Sequence, residues 1–205
     1  MTKQAGDRAG RGYHHGNLRP ALVEAGLRIL ERDGLAGLSL RAVAREAGVS
    51  RAAPYHHFAN RDALLAAIAA QAFKSLEDSV AAFDGVSGTV EERLREIARG
   101  YVGFAVGRPE IYRLLFGTEI GDKSAYPELQ AAGTASYAAF ARQIAALRAE
   151  HGTGGADDRL AGLAVWTMLH GLAMAAIEGR LDAAGGAATP EDLAAGLVDV
   201  LLKGF

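Results

Sequence analysis

Apolar positions recur along most of this chain at three- and four-residue intervals, and nowhere do they alternate strictly with polar ones. Leu22, Ala25 and Ile29 fall on one helical face, and Leu64, Leu65 and Ile68 on another. No segment joins strand alternation to β-branched enrichment, so the spacing predicts an all-α chain of about nine helices. Polar and glycine punctuation sets their ends. Asn17 caps a first helix to about Asp33, with Pro20 tolerated in the opening turn and Gly34 closing it. Ser39 caps a short second helix, Leu40 to Ala47, with Val43, Ala44 and Ala47 inward. Gly48 stops that helix, and Ser50 is placed to cap a third from Arg51 to Phe58. Asn60 then caps a fourth, from Arg61 to about Phe83.

The second half is punctuated in the same way. Thr89 with Glu92 forms a T-x-x-E capping box for a helix to about Val106. Pro109 opens a short helix ending at Gly117, and a longer one spans Tyr126 to Glu150. "HGTGGADD" links that helix to an uncharged one continuing to about Leu181. The stretch "DAAGGAATP" leads into the last helix, with Thr189 at its N-cap and Pro190 at N1.

The stretch "APYHHF" sets a proline and two adjacent histidines inside a helical pattern. With Ser50 as N-cap, Pro54 falls at N4, where its missing N–H forfeits only the first hydrogen bond. His56 and His57 do not form a metal pair, because helical neighbours point about 100° apart whereas ligands to one ion sit at i and i+3 or i+4. What remains is helix, tight turn, helix. Ala44 is small enough for close crossing, Gly48 supplies the turn, Val49 plugs the core and Ser50 starts the next helix. "AxxxGVS" in this context reads as a helix-turn-helix, whose second helix enters a DNA major groove.

Charge sharpens that reading. Residues 1 to 61 hold ten Lys/Arg against five Asp/Glu, a net +5, while the other 144 hold twelve against nineteen, a net −7. A basic third on an acidic body points to a nucleic-acid surface at one end. There are no cysteines, so disulfides and thiolate metal sites are excluded. The polar, basic start "MTKQAGDRAGRGYHHG" has no apolar core of a secretory signal, so a cytoplasmic protein is expected. Leu160 to Ile177 is an 18-residue run without a formal charge, at the lower edge of a membrane span. Its histidine, glycines and many alanines fit the buried centre of a helical bundle instead, and no membrane association is expected.

Catalytic constellations do not assemble. "GVSRA" matches a nucleophile elbow at three positions, but Ala52 replaces the final glycine and a helix, not a strand, precedes it. Neither glycine linker leads into the Lys-Ser/Thr of a phosphate loop. The chain is therefore expected not to be an enzyme and to carry no cofactor or metal. A helical carrier of apolar ligands is the remaining alternative to a DNA-binding regulator. It leaves the "AxxxGVS" turn and the basic end without a role.

At this point the residues carry a resemblance. "LSLRAVAREAGVSRAAPYHHFANRDALLAAI", with its "Y-x-H-F" ending and following "N-R", resembles the DNA-binding domain of the TetR (tetracycline repressor) family over about residues 13 to 70. "YHHGNLR" at residues 13 to 19 is similar to the start of such proteins. "VWTMLHG" places Trp166, His170 and Gly171 in the pattern of the family's WHG-type C-terminal domain. The central third is family-like in helix pattern only. The resemblance implies a flexible basic arm at 1–16, a helix-turn-helix domain at 17–62 and an effector-binding and dimerisation domain at 63–205. It also implies a homodimeric regulator, most commonly a repressor, released from a double-stranded DNA operator by a small apolar or amphipathic effector.

On DNA, the resemblance implies that Arg51 to His57 lies in the major groove. Arg41 and Arg51 are the expected base readers, since guanidinium pairs with guanine O6 and N7. Ala52 and Ala53 leave room for close approach. Tyr55 and His56 are expected to donate to phosphates, and His57 either does so or orients the turn before helix four. Ser39 and Ser50 are expected to combine capping with phosphate contact, and Arg61 at the start of helix four to form a phosphate clamp. Lys3, Arg8, Arg11 and Arg19 belong to the arm.

At the other end the uncharged helix shows two apolar stripes. One holds Leu163, Trp166, His170, Met174 and Ile177; the other holds Val165, Leu169, Leu172 and Ala176. The family's twofold interface between its last two helices leads us to expect dimer contacts from Val165, Leu169, Leu172, Leu193, Leu197, Val200 and Leu201. Which stripe meets the partner is left open by the spacing. The implied effector pocket draws its candidates from Tyr101, Phe104, Tyr112, Phe116, Tyr137, Trp166, His170 and Met174. His170 either anchors a ligand or hydrogen-bonds within the fold.

Overall fold

In the computed structural model, which describes residues 18–82, 87–181 and 186–203, four α-helices open on side-chain caps where the sequence places them. Ser39 Oγ accepts from the Ala42 N–H, Asn60 Oδ1 from Ala63, and Thr189 Oγ1 from Asp192. Thr89 and Glu92 complete their capping box in both directions. Each cap satisfies an N–H that the helix itself leaves unpaired.

Eight α-helices and two short 3-10 turns, with no strand, make up the described residues: α1 Leu18–Gly37, α2 Leu40–Glu46, α3 Arg61–Ala81, α4 Val90–Gly107, α5 Pro109–Phe116, α6 Pro127–Glu150, α7 Asp158–Ile177 and α8 Pro190–Lys203. The all-α expectation holds. Asn17 and the basic arm lie outside the described residues.

The helices α1, α2 and the first half of α3 enclose one end of the core, with Leu22, Ile29, Val43, Leu64 and Leu65 almost fully buried. Gly26 permits the close crossing of α1 on α3, since a Cβ there would overlap Ile68 Cδ1. Phe58 is buried at 2% exposure, as a core residue should be. Gly48 makes the turn after α2 with φ 69°, a left-handed backbone that disfavours any Cβ. Gly34 breaks α1 as expected, at φ 66° and ψ −172°, although a last helical turn resumes to Gly37.

The expected third helix, Arg51 to Phe58, is instead a 3-10 turn over Ala53–His56. Pro54 is the reason. It has no N–H to reach the Ser50 carbonyl, so that carbonyl receives Ala53 N–H at 3.1 Å in an i to i+3 bond. Tyr55 bonds to Ala52 and His57 to Pro54 in the same tight register. Ser50 consequently caps nothing with its side chain; Ala52 stands at the N-cap, without a side-chain bond.

The larger bundle is built by α4 packing on α8 and α7, and by α6 packing between α3 and α7. The uncharged helix ends at Ile177 rather than Leu181. Gly179, at φ 67°, turns the chain so that Arg180 N–H bonds to the Ala175 carbonyl at 2.8 Å. By length and composition α7 is apolar enough to cross a membrane, yet it forms a wall of the bundle, with Val165, Leu169 and Ala173 inside.

That placement corrects the expected dimer stripe. Val165, Leu169 and Leu172 are 3%, 0% and 9% exposed, so they fill the core of one chain and are not available to a partner. The outward face of α7 carries Leu160, Leu163, Ala164, Thr167 and Gly171 instead. On α8 the expected Val200 and Leu201 are exposed, Leu193 and Leu197 half-buried.

Candidate DNA-reading face and ligand cavity

The turn between α2 and α3 projects its polar side chains outward because Pro54 and Phe58 point inward and are buried. Arg51, Ala52, Tyr55, His56 and His57 are all exposed, Tyr55 at 52%, while Ala53 is half-buried. Ser39, Ser50 and Arg41 stand exposed beside them. Neither Arg41 nor Arg51 has an ion-pair or hydrogen-bond partner among the described residues. Two solvated guanidinium groups thus flank a short segment with small residues at its tip.

Arg61 is placed differently from expectation. Its Nε donates to the Leu38 carbonyl at 3.0 Å and its Nη2 to the Leu35 carbonyl at 2.8 Å. The Leu35 carbonyl also receives the Leu38 N–H at 3.3 Å, so the guanidinium adds to that turn and ties α3 to the α1–α2 connection. Spacing could not reveal this, because the acceptors lie more than twenty residues away.

Other charges brace the same unit. Arg28 and Arg32 both reach Glu46, at 3.3 and 3.2 Å, joining α1 to the end of α2. Their hydrogen bonds hold the Glu46 carboxyl below its usual range. Arg19, read from the sequence as an arm residue, sits in α1, with its guanidinium 5.6 Å over the Phe58 ring and 2.5 Å from the Glu128 carboxylate on α6.

A cavity of about 860 Å³ opens between α3, α4, α5, α6 and α7, within the size range of small-molecule sites. Four of the eight expected ligand residues line it: Tyr101, Phe116, Tyr137 and Trp166. Phe104, Tyr112, His170 and Met174 do not. Phe104 is buried beneath the Arg108 guanidinium, 5.4 Å from its ring. Met174 lies two turns beyond Trp166, which is the one α7 residue on the wall.

Tyr112 and His170 stand one layer behind the cavity and hold its wall. Trp166 stacks on His170 with ring centres 5.1 Å apart and planes 11° from parallel. His170 Nδ1 is 2.7 Å from the Tyr112 hydroxyl, which is 3.0 Å from that of Tyr101. Trp166, His170, Tyr112 and Tyr101 are thus joined in one chain of stacked and hydrogen-bonded rings. Burial lowers the His170 pKa, pushes Tyr101 up to about 12 and raises Tyr112 further, so all three rings are neutral near pH 7.

The sequence reading missed the α3 and α6 contributions to the cavity. Phe73, Leu76 and Val80 follow helical spacing on α3, and a Cβ added at Gly133 would stand 3.4 Å from the Phe73 ring, in ordinary contact. The apolar spacing on α3 was the available signal. Arg93 on α4 and Lys123 were missed too. Lys123 Nζ donates to the Leu115 and Gly117 carbonyls, at 3.0 and 2.9 Å. Arg93 Nη2 pairs with Glu150, while its Nε is enclosed and has no hydrogen-bond partner. Among the described residues, no three His, Asp or Glu side chains gather as a metal site.

Comparison with known proteins accounts for both halves. Residues 22–68 match the family described as bacterial regulatory proteins of the tetR family, and residues 94–201 match the tetracyclin repressor-like C-terminal domain. The HTH-type transcriptional regulator Rv1816 of Mycobacterium tuberculosis is 38% identical over 117 residues, 56% of this chain and 50% of that protein. The chain spans about half the length of the curated relatives it matches first. A Rhodococcus sp. RHA1 protein described as of unknown function is 33% identical, with a TM-score of 0.80, over 96% of this chain and 99% of its own. The TetR family regulator PfmR of Thermus thermophilus, 24% identical, shares the fold at a TM-score of 0.63 over 90% of this chain and 98% of its own.

Proposed function

This chain belongs to the TetR family of bacterial regulatory proteins, and on that footing we propose that it is a cytoplasmic, ligand-responsive transcriptional repressor. The observation that carries the reading is the exposed face formed by Arg41, Arg51, Tyr55 and His56 at the basic end of the chain. Guanidinium groups without a partner among the described residues, one on α2 and one on the turn after it, are suited to base edges, and the neighbouring hydroxyls and imidazoles to phosphates. Ser39, Ser50, Ala52, Ala53 and His57 complete the contact surface. Arg61 acts by holding the unit in shape.

A homodimer is the working form. Leu160, Leu163, Val200, Leu201 and Leu202 leave a run of large apolar side chains exposed on α7 and α8, at 39–56%. A second copy on this face makes a self-complementary twofold contact, and two reading turns then meet successive major grooves about 34–36 Å apart. The cavity lined by Phe116, Tyr137 and Trp166 receives the effector.

The test is selection of bound duplexes from a random pool, followed by titration on the recovered site. The expected result is a near-palindromic sequence bound with strong salt dependence. Binding that ignores both sequence and salt would leave only a helical carrier of apolar ligands.

A further inference from the structure

The two ends of the cavity differ in chemistry, and with the cavity taken as the effector site proposed above, that difference specifies the class of effector. Its wall follows α6 from Leu129 to Glu150. From Gly133, which abuts Phe73, to Glu150 the helix rises about 25 Å, so the space is long rather than round. One end is aromatic: Phe73, Phe116, Tyr137 and Trp166 meet there edge to face or tilted, 5.8 to 6.3 Å apart. Aliphatic side chains such as Leu76 and Ile97 line the wall as well.

The far end is different. Three cations line the cavity, and they are not equivalent. Lys123 is already bound to two carbonyls, and Arg142 is exposed. Arg93 has a side chain only 19% exposed and an enclosed Nε–H without an acceptor. Its one side-chain partner among the described residues, Glu150, is the last residue of α6 and has a side chain 56% exposed to water. An unsatisfied donor on a half-neutralised guanidinium asks for an acceptor, and a planar carboxylate fits its fork.

We propose that the cavity takes an elongated amphipath, an aliphatic chain ending in a carboxylate, with the carboxylate on Arg93 and the chain running along α6 towards Trp166. Head and tail are then recognised by separate chemistry. The tail displaces water from apolar wall, and the head supplies an acceptor to the enclosed Nε–H of a half-buried cation.

The chain has a single tryptophan, and it lies in the cavity wall, so its fluorescence reports occupancy directly. Dodecanoic acid, dodecanol and dodecylamine share a tail and differ in the head. Titrated into the full chain, the acid is expected to bind most tightly. Arg93→Gln should weaken the acid about tenfold while leaving the alcohol within about twofold. Glu150→Gln, an exposed change that spares the fold, should tighten the acid several-fold. Equal binding of acid and alcohol, strongest binding of the amine, an equal loss of both ligands in the Arg93 variant, or no binding to the folded protein would each overturn the proposal. The same ligands added to the protein–duplex complex separate this idea from the reading it rests on. Acid that binds through Arg93 without releasing DNA keeps the anion site and removes the effector role.

Discussion

Arg19 on α1 holds the Glu128 carboxylate of α6 at 2.5 Å while its guanidinium covers the Phe58 ring at 5.6 Å. One side chain thereby touches the core residue that ends the DNA-reading turn and the helix that walls the cavity. Both partners are substantially exposed, so the pair adds no more than about 1 kcal/mol to stability. Its value is as a linkage. Glu128→Gln is expected to leave the thermal midpoint nearly unchanged and to reduce the effect of ligand on DNA affinity, a coupling that typically amounts to about 1–3 kcal/mol. Paired titrations of DNA with and without ligand measure it, and an undiminished ligand effect would count against the linkage.

Arg41 and Arg51 should behave unlike Arg61. Alanine at either of the first two is expected to cost about 1–3 kcal/mol on the preferred duplex and to relax base preference, with stability unchanged. Arg61→Ala removes two hydrogen bonds to the Leu35 and Leu38 carbonyls, and should lower unfolding stability by about 1–3 kcal/mol. Urea denaturation beside mismatch titrations distinguishes reader from brace.

Two glycines make opposite demands. Gly48→Ala meets no atom within 4 Å but must hold φ 69°, and is expected to lose about 1–2 kcal/mol from backbone strain. Gly26→Ala has ordinary helical backbone and instead drives a methyl into Ile68. Pairing it with Ile68→Val should recover part of its loss, whereas the same partner change should not rescue Gly48→Ala.

Protonation of His170 should loosen the cavity wall. Its folded pKa is depressed below 6.5 by burial, so in acid the unfolded chain binds the proton first and stability falls as pH drops through and below 6.5. The tyrosines act at the other extreme. Tyr101 titrates near 12 when folded rather than near 10, so its contribution is lost as pH rises between those values. Chemical denaturation across pH should show the acid slope reduced in His170→Gln; an identical slope would assign it to other groups.

Leu163 and Leu169 lie on one helix and should report different things. Leu163→Glu, alone or with Val200→Glu, is expected to yield a folded monomer by sedimentation. Leu169→Ala empties a fully buried site and should cost about 2–5 kcal/mol. A dimer that survives the double glutamate change would place the interface elsewhere.

Much of this architecture was readable in advance because it is local. The caps at Ser39, Asn60, Thr89 and Thr189 each join atoms three residues apart, and the turn at Gly48 needs only its own φ. The proline at 54 was legible as a marker but not in its consequence. Losing one N–H tightened the turn over Ala53–His56 into 3-10 register, and Ser50 lost its capping role. The two stripes of α7 were equally visible, yet spacing is symmetric with respect to which faces inward, and Val165, Leu169 and Leu172 proved to be core.

The amino-acid order by itself determined the all-α class, the four side-chain caps, the turn at Gly48 with its basic surroundings and the apolar excess of the last two helices, since each depends on contacts within about four residues or on composition. Only the tertiary structure decided that Arg61 is a brace, that Arg19 reaches α6, and that Phe73 and Arg93 share a cavity with Trp166. Those relations join residues from 23 to 109 positions apart. They arise from how rigid helices pack, and helix packing fixes which faces and side-chain ends meet across space with no trace in local periodicity.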